Sequence, residues 1–421
     1  MTIDFKNKTK YIIRKKCVLC SSSKLTEVLN FNKTPLANSY VSNKNSHENS
    51  FPLVCLFCHQ CKHLQLKHLI NPKIMFENYL YVSGTSPILV KHFKNYYQRI
   101  LQKKKLNKKK HKILDIACND GTFLDFFIKN KFKNVVGIEP AKNLRSINKK
   151  KNIDINSIFF NYKTSFDLRN KYNSFDIITA NNVFAHVPDL KDFAKGVKNI
   201  LSKDGIFIFE VSYLKNVIEK LTFDTIYHEH MSYHSLYPLI SFFSSIGLRV
   251  LDFDLIEAQG GSIRVFVGHT NKKAKIKKLK KQIFLEKKMG ILNTKIFRKY
   301  SKRIKLHKIE INKVIKSKIL NKKLTLIGYG APAKVTTFSH AFELGKKHIS
   351  SIVDDNNLKQ GKYTPGKNIK IINFDDLENL QFDYIIILAW NFAEAIIKKL
   401  DNRFKNRKFK IIVPFPKIKI I

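Results

Sequence analysis

Short apolar runs alternate with helix-like segments along most of this chain, and they do so in two separate blocks. The first block lies between residues 111 and 270 and contains KILDIA, NVVGIEP, SFDIITANNV, GIFIFEV, LRVLDFDLI and GSIRVFVG. The second block occupies the last hundred residues and contains LTLIGYG, ISSIVDDN, FDYIIILAW and KIIVPFP. Because strands that alternate with helices form parallel sheets with crossover helices, the pattern predicts an α/β protein with two such domains.

The composition excludes several classes of protein. A length of 421 residues suggests about two to four domains, and an apolar fraction of 44% excludes a disordered chain. The sequence contains no apolar run near the roughly 20 residues of a membrane helix, so we expect no membrane-spanning segment. The first residues lack a long apolar stretch and a small-residue cleavage site, which favours a cytoplasmic protein.

The formal net charge of +46 would attract nucleic acid or anionic lipid if it were concentrated on one surface. However, the chain has 68 lysines and only 10 arginines, and the lysines are spread over its whole length. Arginine is the residue that recognises phosphates and bases with a bidentate fork. We therefore interpret the charge as solvated lysine on outer faces and expect no specific nucleic-acid partner and no membrane partner.

The first 70 residues hold five of the six cysteines, four of them in two C-x-x-C pairs: Cys17 with Cys20, and Cys58 with Cys61. Two such pairs form a tetrahedral zinc site with four thiolate ligands. The pairs are 37 residues apart, more than the common template of about 15–20, so a loop lies between them. A site with four thiolates has no open position, so the zinc would be structural. Other candidate ligands are Cys55, His59 and His63.

A strand, a tight turn of small residues and a helix follow one another in KILDIACNDGTFL. Such a turn, here containing Gly121, lets a ligand approach the backbone at the carboxyl end of the strand. Glu139 ends the next predicted strand, where an acidic residue can accept hydrogen bonds from both ribose hydroxyls. An NAD site requires G-x-G-x-x-G, whereas Asp115 on the first strand and a looser turn favour S-adenosylmethionine (SAM).

Three histidines, one glutamate and two tyrosines lie within the ten residues of IYHEHMSYHS, at 226–235. The segment lacks the H-E-x-x-H pair of a zinc protease helix, so acid–base chemistry is the preferred interpretation. His186 follows the predicted fourth strand and is expected at the same carboxyl-end face as the first turn.

The last domain begins with a second strand, glycine turn and helix, LTLIGYGAPAK, which includes Gly328, Gly330 and Lys334. Such a turn places backbone N–H groups and a helix N-terminus against phosphate, and Lys334 is a candidate partner of that phosphate. Thr364 begins a tight turn, Thr-Pro-Gly, which we also predict to contact the substrate.

The order of these motifs resembles the nucleotide-sugar C-methyltransferases, SAM-dependent enzymes of deoxysugar biosynthesis such as the sugar 3-C-methyltransferases. The shared motifs are the two C-x-x-C pairs, Y-x-Y-x-S-G-x-S, I-x-x-N-D-G, A-N-N-x-x-x-H, Y-x-E-H, G-G-S-x-R, G-x-G-A-x-A-K and Q-G-K-Y-T-P-G. They cover nearly the whole chain. The sequence departs from the family at Ala117, where glycine is usual.

The resemblance implies four segments: a zinc-binding module over 1–70, a class I SAM-dependent methyltransferase (Rossmann-like) domain over 71–275, a connecting amphipathic helix over 276–320, and a Rossmann-like nucleotide-sugar-binding domain over 321–421. It implies zinc at the two C-x-x-C pairs. Residues implied near SAM are Tyr79, Tyr81, Ser83, Ser86, Asp115, Asn119, Gly121, Glu139 and Asn181. Residues implied to face the sugar are His186, Tyr227, Glu229 and His230.

The implied reaction removes a proton next to the ketone of a 4-keto sugar, after which the enolate carbon attacks the SAM methyl group. A base that titrates near neutrality favours histidine, and we predict His230, with His186 and Tyr227 as donors to the enolate oxygen. Glu229 is expected to orient the histidine or to bind a sugar hydroxyl. We expect a monomer or homodimer. Two alternative functions stay open. The first is an O-methyltransferase or a non-catalytic partner on the same scaffold, and the second is a nucleic-acid methyltransferase.

Overall fold

A computed structural model describes residues 10–43, 48–77, 79–405 and 408–421. Its strands, in chain order, are β1 Tyr11–Ile13, β2 Leu25–Pro35, β3 Ser50–Cys58, β4 Leu64–Leu66, β5 His68–Ile70, β6 Lys112–Ile116, β7 Asn134–Ile138, β8 Asp154–Asn156, β9 Phe175–Asn181, β10 Leu201–Ser212, β11 Ser232–Tyr233, β12 Leu248–Ile256, β13 Ser262–His269, β14 Leu326–Tyr329, β15 Ser351–Val353, β16 Lys370–Ile372, β17 Tyr384–Ile387, β18 Lys410–Val413 and β19 Lys419–Ile420.

The α-helices, in chain order, are α1 Pro72–Phe76, α2 Pro87–Lys103, α3 Thr122–Lys129, α4 Arg145–Lys150, α5 Tyr162–Tyr172, α6 Leu190–Ile200, α7 Leu214–Glu219, α8 Leu236–Ser245, α9 Ile276–Met289, α10 Lys295–Lys318, α11 Lys334–Phe342 and α12 Ala393–Arg403. Local sequence explains the start of α2. Ser86 caps α2 through its side chain, and Pro87 follows at the first helical position, where its missing N–H costs nothing.

The chain forms two compact units. Unit 1 consists of Met1–Thr26, Leu56–Leu214 and Met231–Leu292, and unit 2 consists of Glu27–Cys55, Lys215–His230 and Asn293–Ile421. The domain boundaries predicted from sequence remain a prediction.

Unit 1 contains a seven-stranded sheet in the order β12-β13-β10-β9-β6-β7-β8. The five strands from β8 to β10 pair in parallel, and β13 pairs antiparallel with both β10 and β12. The central strands are apolar on both faces because helices cover both, and Phe184, Phe207 and Phe209 lie in the core on one side. This sheet confirms the predicted class I methyltransferase fold.

Unit 2 contains a six-stranded sheet in the order β16-β15-β14-β17-β18-β19. All pairs are parallel except β18 with β19. The strand order reverses at β14, so the carboxyl end of β14 is the topological switch point at which doubly wound sheets bind ligands. The predicted second α/β domain with a parallel sheet is thus confirmed.

The segment 276–320 contains two helices, α9 and α10, where the sequence predicted one connecting helix. Gly290 ends α9 with a left-handed φ of 86°, a conformation that glycine adopts without steric cost. Unit 1 ends at Leu292 and unit 2 resumes at Asn293, so α9 and α10 belong to different units.

Within the described ranges, no helix is both long enough and apolar enough to cross a membrane.

Candidate active site and zinc centre

The two C-x-x-C pairs meet in unit 1. The Sγ atoms of Cys17, Cys20, Cys58 and Cys61 all lie within 4.8 Å of one another. The Sγ–Sγ distance is 3.5 Å between Cys17 and Cys61 and 3.6 Å between Cys20 and Cys58. Four thiolates about 2.3 Å from one zinc ion lie at nearly this separation, so the donor set fits tetrahedral zinc. Cys55, the alternative ligand, is buried outside this group.

The loop between β6 and α3 has the backbone shape that the sequence predicts for a ligand-binding turn. Ala117, Asn119 and Gly121 have φ values of 56°, 55° and 70°. A Cβ atom on Gly121 would lie 2.2 Å from Ile153 Cδ1 and 2.7 Å from Asn148 Oδ1, so a larger residue would have to displace both side chains and adopt a strained left-handed backbone. The left-handed conformation of Ala117 gives a physical reason for the glycine that is usual at this position.

Two buried carboxylates flank this turn. Glu139 accepts hydrogen bonds from the backbone N–H groups of Asn119 (2.7 Å) and Ala141 (2.8 Å). Asp115 Oδ1 accepts from Thr179 Oγ1 at 2.7 Å and from Asn181 Nδ2 at 3.3 Å. Burial raises the pKa of Asp115 to about 7 and raises that of Glu139. A cationic amino group and ribose hydroxyls suit these acceptors, so the residues fit SAM.

The predicted 79–86 segment lies against the same turn. Asn119 holds it, because its Oδ1 accepts from the Ser83 N–H at 2.8 Å and its Nδ2 donates to Tyr81 O at 2.9 Å. Asn143 bonds both backbone groups of Tyr79. The Tyr79 and Tyr81 rings lie 6.4 Å apart, whereas the Ser86 hydroxyl caps α2. The structure therefore places the predicted SAM-binding residues of unit 1 around one turn.

We expect Glu139→Gln to weaken SAM binding by about 10–100-fold, because it removes a charged acceptor whose hydrogen bonds contribute roughly 1.5–3 kcal/mol. Glutamine keeps one acceptor but turns its NH2 group towards the other backbone N–H, so the free energy of unfolding should fall by about 1–3 kcal/mol, and the thermal midpoint with it. Calorimetric titration with SAM measures the first effect and thermal unfolding the second. Unchanged SAM affinity would show that Glu139 does not contact the cofactor.

His186 also belongs to unit 1. Its ring is half-buried and stacks on Phe76 at 5.7 Å, and Phe76 in turn contacts the Tyr79 ring at 5.8 Å. His186 thus lies in an aromatic row that continues into the 79–86 segment. The other three residues predicted to face the sugar belong to unit 2.

Tyr227 and His230 form a directly bonded pair in unit 2. The Nδ1 atom of His230 lies 2.7 Å from the Thr225 carbonyl oxygen, which can only accept, so Nδ1 carries the proton. In the neutral ring Nε2 is then the acceptor, and the Tyr227 hydroxyl donates to it at 2.9 Å. Burial lowers the pKa of His230 to about 4, which is well below the neutral range expected from the sequence. The ring is therefore neutral at pH 7 and can accept a proton, but it is a weaker base than an unperturbed histidine.

The neighbouring Glu229 is buried, and its Oε1 accepts from Asn38 Nδ2 at 2.6 Å. Sequence reasoning missed Asn38, which is 191 residues away along the chain. The other two histidines of the segment have structural contacts. His228 Nε2 donates to Phe51 O at 3.2 Å in unit 2, and His234 Nε2 donates to Phe184 O at 3.3 Å in unit 1. The cluster therefore contains one histidine that suits acid–base chemistry.

The glycine turn after β14 differs from the predicted phosphate cradle in one respect. The N–H of Gly330, at φ 86°, donates to Val353 O at 2.7 Å, and the N–H of Ala331 donates to Asp354 Oδ2 at 2.6 Å. Gly328 lies within β14, where a Cβ atom would meet Ile352 at 2.8 Å. The N–H groups of Gly330 and Ala331, which the sequence predicted to face phosphate, therefore donate to acceptors within unit 2.

Lys334 and Thr364 are both buried. The Nζ atom of Lys334 donates to Asn391 Oδ1 at 2.9 Å and lies 4.1 Å from the centre of the Trp390 ring. Burial lowers its pKa to about 8, although attraction by Asp224 opposes the shift. The Thr364 hydroxyl accepts from the N–H of Ile369 at 3.1 Å, inside its own turn.

Models of three domain families match successive parts of the chain. A zinc binding domain matches residues 17–76, a methyltransferase domain matches 90–252, and a C-methyltransferase C-terminal domain matches 257–416. Together these matches indicate a SAM-dependent C-methyltransferase. It is also 29% identical, over 96% of its length and 96% of the relative's, to the C-methyltransferase NovU of Streptomyces niveus.

Solved structures resemble part of this C-methyltransferase. The PH0226 protein from Pyrococcus horikoshii shares 15% identity, with a TM-score of 0.36, over 47% of this chain and 98% of its own. A SAM-dependent methyltransferase from Anabaena variabilis shares 14% identity, with a TM-score of 0.33, over 42% of this chain and 84% of its own.

The family matches confirm SAM as the cofactor and a zinc-binding domain that contains the four-cysteine cluster. The roles of individual residues remain predictions.

Proposed function

We propose that this C-methyltransferase methylates a carbon atom next to the ketone of a nucleotide-linked 4-keto-deoxysugar. The observation that supports the proposal most is the Tyr227–His230 pair, which combines a neutral imidazole with a phenol at 2.9 Å. Carbon methylation of a ketone needs a base for the C–H proton and a donor for the oxygen that becomes negative. One hydrogen-bonded pair supplies both groups.

His230 acts as the base in this proposal. Its Nδ1 proton is held by the Thr225 carbonyl, so Nε2 carries the lone pair that accepts the proton from carbon. The C–H bond breaks, its electron pair moves into the enolate, and the proton binds Nε2. After transfer this proton leaves to solvent and the neutral ring is restored.

Tyr227 acts as the donor to the ketone oxygen. In the structure its hydroxyl donates to Nε2, the atom that must accept the proton. When the substrate is bound, rotation of this hydroxyl to the ketone oxygen frees the Nε2 lone pair and stabilises the developing negative charge. One movement therefore activates the base and prepares the site for the enolate.

SAM supplies a methyl group on a positively charged sulfur, which a carbon nucleophile can attack. Asp115 and Glu139 would bind the amino and ribose groups of SAM, and Asn119 holds the 79–86 segment against the same turn. Glu229, whose Oε1 accepts from Asn38, binds a sugar hydroxyl in this proposal, and His186 remains a predicted contact of the sugar. The name of the relative, a C-methyltransferase, supports carbon as the acceptor atom.

Incubation with isotopically labelled SAM and a panel of dTDP- and UDP-linked 4-keto-deoxysugars tests the proposal. We expect one labelled methyl group in the product by mass spectrometry, bonded to carbon by NMR. We also expect solvent deuterium to enter the carbon next to the ketone when SAM is omitted. A methyl group on oxygen, or transfer to nucleic acid and to no sugar, would contradict the proposal.

A further inference from the structure

The carbonyl group that fixes the tautomer of His230 belongs to a single 3₁₀ turn, Phe223–Thr225. The Thr225 carbonyl oxygen lies 2.7 Å from His230 Nδ1 and keeps the proton on that atom, so Nε2 is left to accept a proton. A 3₁₀ turn of three residues has few internal hydrogen bonds and poor geometry for them. The position of this carbonyl therefore depends on the groups that pack against residues 223–226.

Two side chains from the last hundred residues hold the neighbours of Thr225 in the chain. The Trp390 indole Nε1 donates to Asp224 Oδ2 at 2.6 Å. The Thr337 hydroxyl, on α11, donates to the Ile226 carbonyl oxygen at 2.7 Å. All of these residues belong to unit 2. The residue before Thr225 and the residue after it are thus each fixed by one hydrogen bond.

These two hydrogen bonds are formed in the protein interior. Asp224, Ile226 and Thr337 are all buried. A buried acceptor that loses its donor costs about 1–3 kcal/mol, because water does not replace the lost partner. The Phe223 ring adds an apolar contact, since its centre lies 5.0 Å from that of Phe342 at the end of α11. The 3₁₀ turn is therefore held by specific partners and not by the connectivity of the chain alone.

The buried Lys334 strengthens one of these hydrogen bonds. Its ammonium group lies 4.1 Å from the centre of the Trp390 ring. Burial raises the pKa of Asp224 to about 6, although attraction by Lys334 opposes the shift, so the carboxylate is ionised at pH 7. A hydrogen bond to an ionised acceptor is roughly twice as strong as one between neutral groups. Lys334, Trp390 and Asp224 therefore form one supporting group beside the 3₁₀ turn.

We infer that Thr337 and Trp390 are positioning residues of the methyl transfer, which hold residues 224–226 so that the Thr225 carbonyl keeps the proton on His230 Nδ1. The inference rests on the proposed function, in which His230 is the base. If this carbonyl moved, Nδ1 would lose its acceptor, and the ring could rotate or place its proton on Nε2, the atom that must accept the proton from carbon. Both side chains thus act through Thr225 rather than on the substrate.

Thr337→Val tests the inference in the full chain, because valine has a shape similar to that of threonine and lacks the hydroxyl donor. We expect kcat with a 4-keto sugar to fall by about 10–100-fold, since a small displacement of a catalytic group has an effect of this size. The KM for the sugar and the affinity for SAM should stay unchanged, because the substitution removes no binding group. Thr337→Ser restores the hydroxyl and should recover most of the turnover.

Tyr300→Phe is the matched control. The buried Tyr300 hydroxyl also belongs to unit 2 and donates to a carbonyl of the same 215–230 segment, that of Val217 at 3.1 Å. This carbonyl is remote in sequence from Thr225, so we expect near-wild-type kcat. Equal losses of kcat in Tyr300→Phe and Thr337→Val would indicate a general loss of structure and overturn the inference. Wild-type kcat in Thr337→Val would overturn it as well.

Trp390→Phe provides an independent test, which also serves if Thr337→Val does not fold. Phenylalanine keeps an aromatic ring beside Lys334 and removes the N–H donor to Asp224. We expect the same pattern, a lower kcat with unchanged KM for the sugar and unchanged SAM affinity. A loss of SAM affinity together with kcat would mean that the substitution disturbs the whole protein, and it would contradict a positioning role.

Exchange of solvent deuterium next to the ketone, measured without SAM, separates this inference from the proposed function. We expect the exchange rate to fall in Thr337→Val and Trp390→Phe and to vanish in His230→Ala. If exchange persists in His230→Ala, the base of the proposed function is wrong and the inference fails with it. If exchange vanishes in His230→Ala but is unchanged in the other two variants, the inference fails and the proposed function stands.

Discussion

His230→Ala is expected to lower turnover by about 10²–10⁴-fold while SAM affinity stays unchanged. The substitution removes the Nε2 lone pair that accepts the proton from carbon, and general bases contribute a rate effect of about this size. SAM affinity should be kept because the residues predicted to bind SAM belong to unit 1 and His230 belongs to unit 2. Steady-state turnover with a 4-keto sugar and calorimetry with SAM measure the two quantities.

His340→Ala is the matched control for this variant. His340 is also a half-buried histidine of unit 2 whose ring donates to a backbone carbonyl, that of Pro365 at 3.2 Å. The His340→Ala variant should lose little activity. Near-wild-type turnover in His230→Ala, or persistent exchange of solvent deuterium at the carbon next to the ketone, would discard His230 as the base.

Tyr227→Phe separates the two roles of the pair. It keeps the ring, which lies 4.1 Å from that of His230, and removes the hydroxyl. The imidazole can still accept a proton, so deuterium exchange should be reduced rather than abolished, whereas His230→Ala should abolish it. Equal exchange in Tyr227→Phe and wild type would remove the hydroxyl from the proposed mechanism.

The two sheets could be predicted from sequence because their central strands are continuous apolar runs. KILDIA, NVVGIEP and LTLIGYG correspond to β6, β7 and β14, each buried on both faces. The turns after β6 and β14 could also be predicted, since Gly121 and Gly330 adopt left-handed φ values that other residues rarely adopt. In these elements the local sequence alone determines the structure.

The contacts of the 27–55 segment could not be predicted in this way. Tyr40 donates to a carbonyl 291 residues further along the chain, and Asn38 donates to Glu229. Neither residue lies in a motif whose spacing indicates chemistry. Their roles depend on long-range folding of Glu27–Cys55 into unit 2.

Lys334 shows a second limit of sequence reasoning. Its position after the glycine turn suggested a phosphate partner, whereas in the folded chain its ammonium group donates to Asn391 and packs on the Trp390 ring.

Loss of zinc is expected to destabilise unit 1 more than the substitution of any single side chain discussed above. Apparent binding free energies of structural zinc in small peptides are about 10–16 kcal/mol, and this energy is coupled to folding. The four sulfurs join the first 26 residues of unit 1 to the segment after Leu56, and Cys17 and Cys58 pack in the same core as the seven-stranded sheet. Metal analysis of wild type should give about one zinc per chain.

Cys58→Ser should lower the zinc content to near zero and lower the thermal midpoint strongly, since three thiolates and a hydroxyl hold zinc poorly. Cys55→Ser is the control, because Cys55 is equally buried on β3 but lies outside the cluster. It should keep one zinc and lose only about 1–3 kcal/mol, the cost of an unbonded buried hydroxyl. Full stability of a zinc-free preparation, or zinc loss in Cys55→Ser with retention in Cys58→Ser, would contradict the assignment of these ligands.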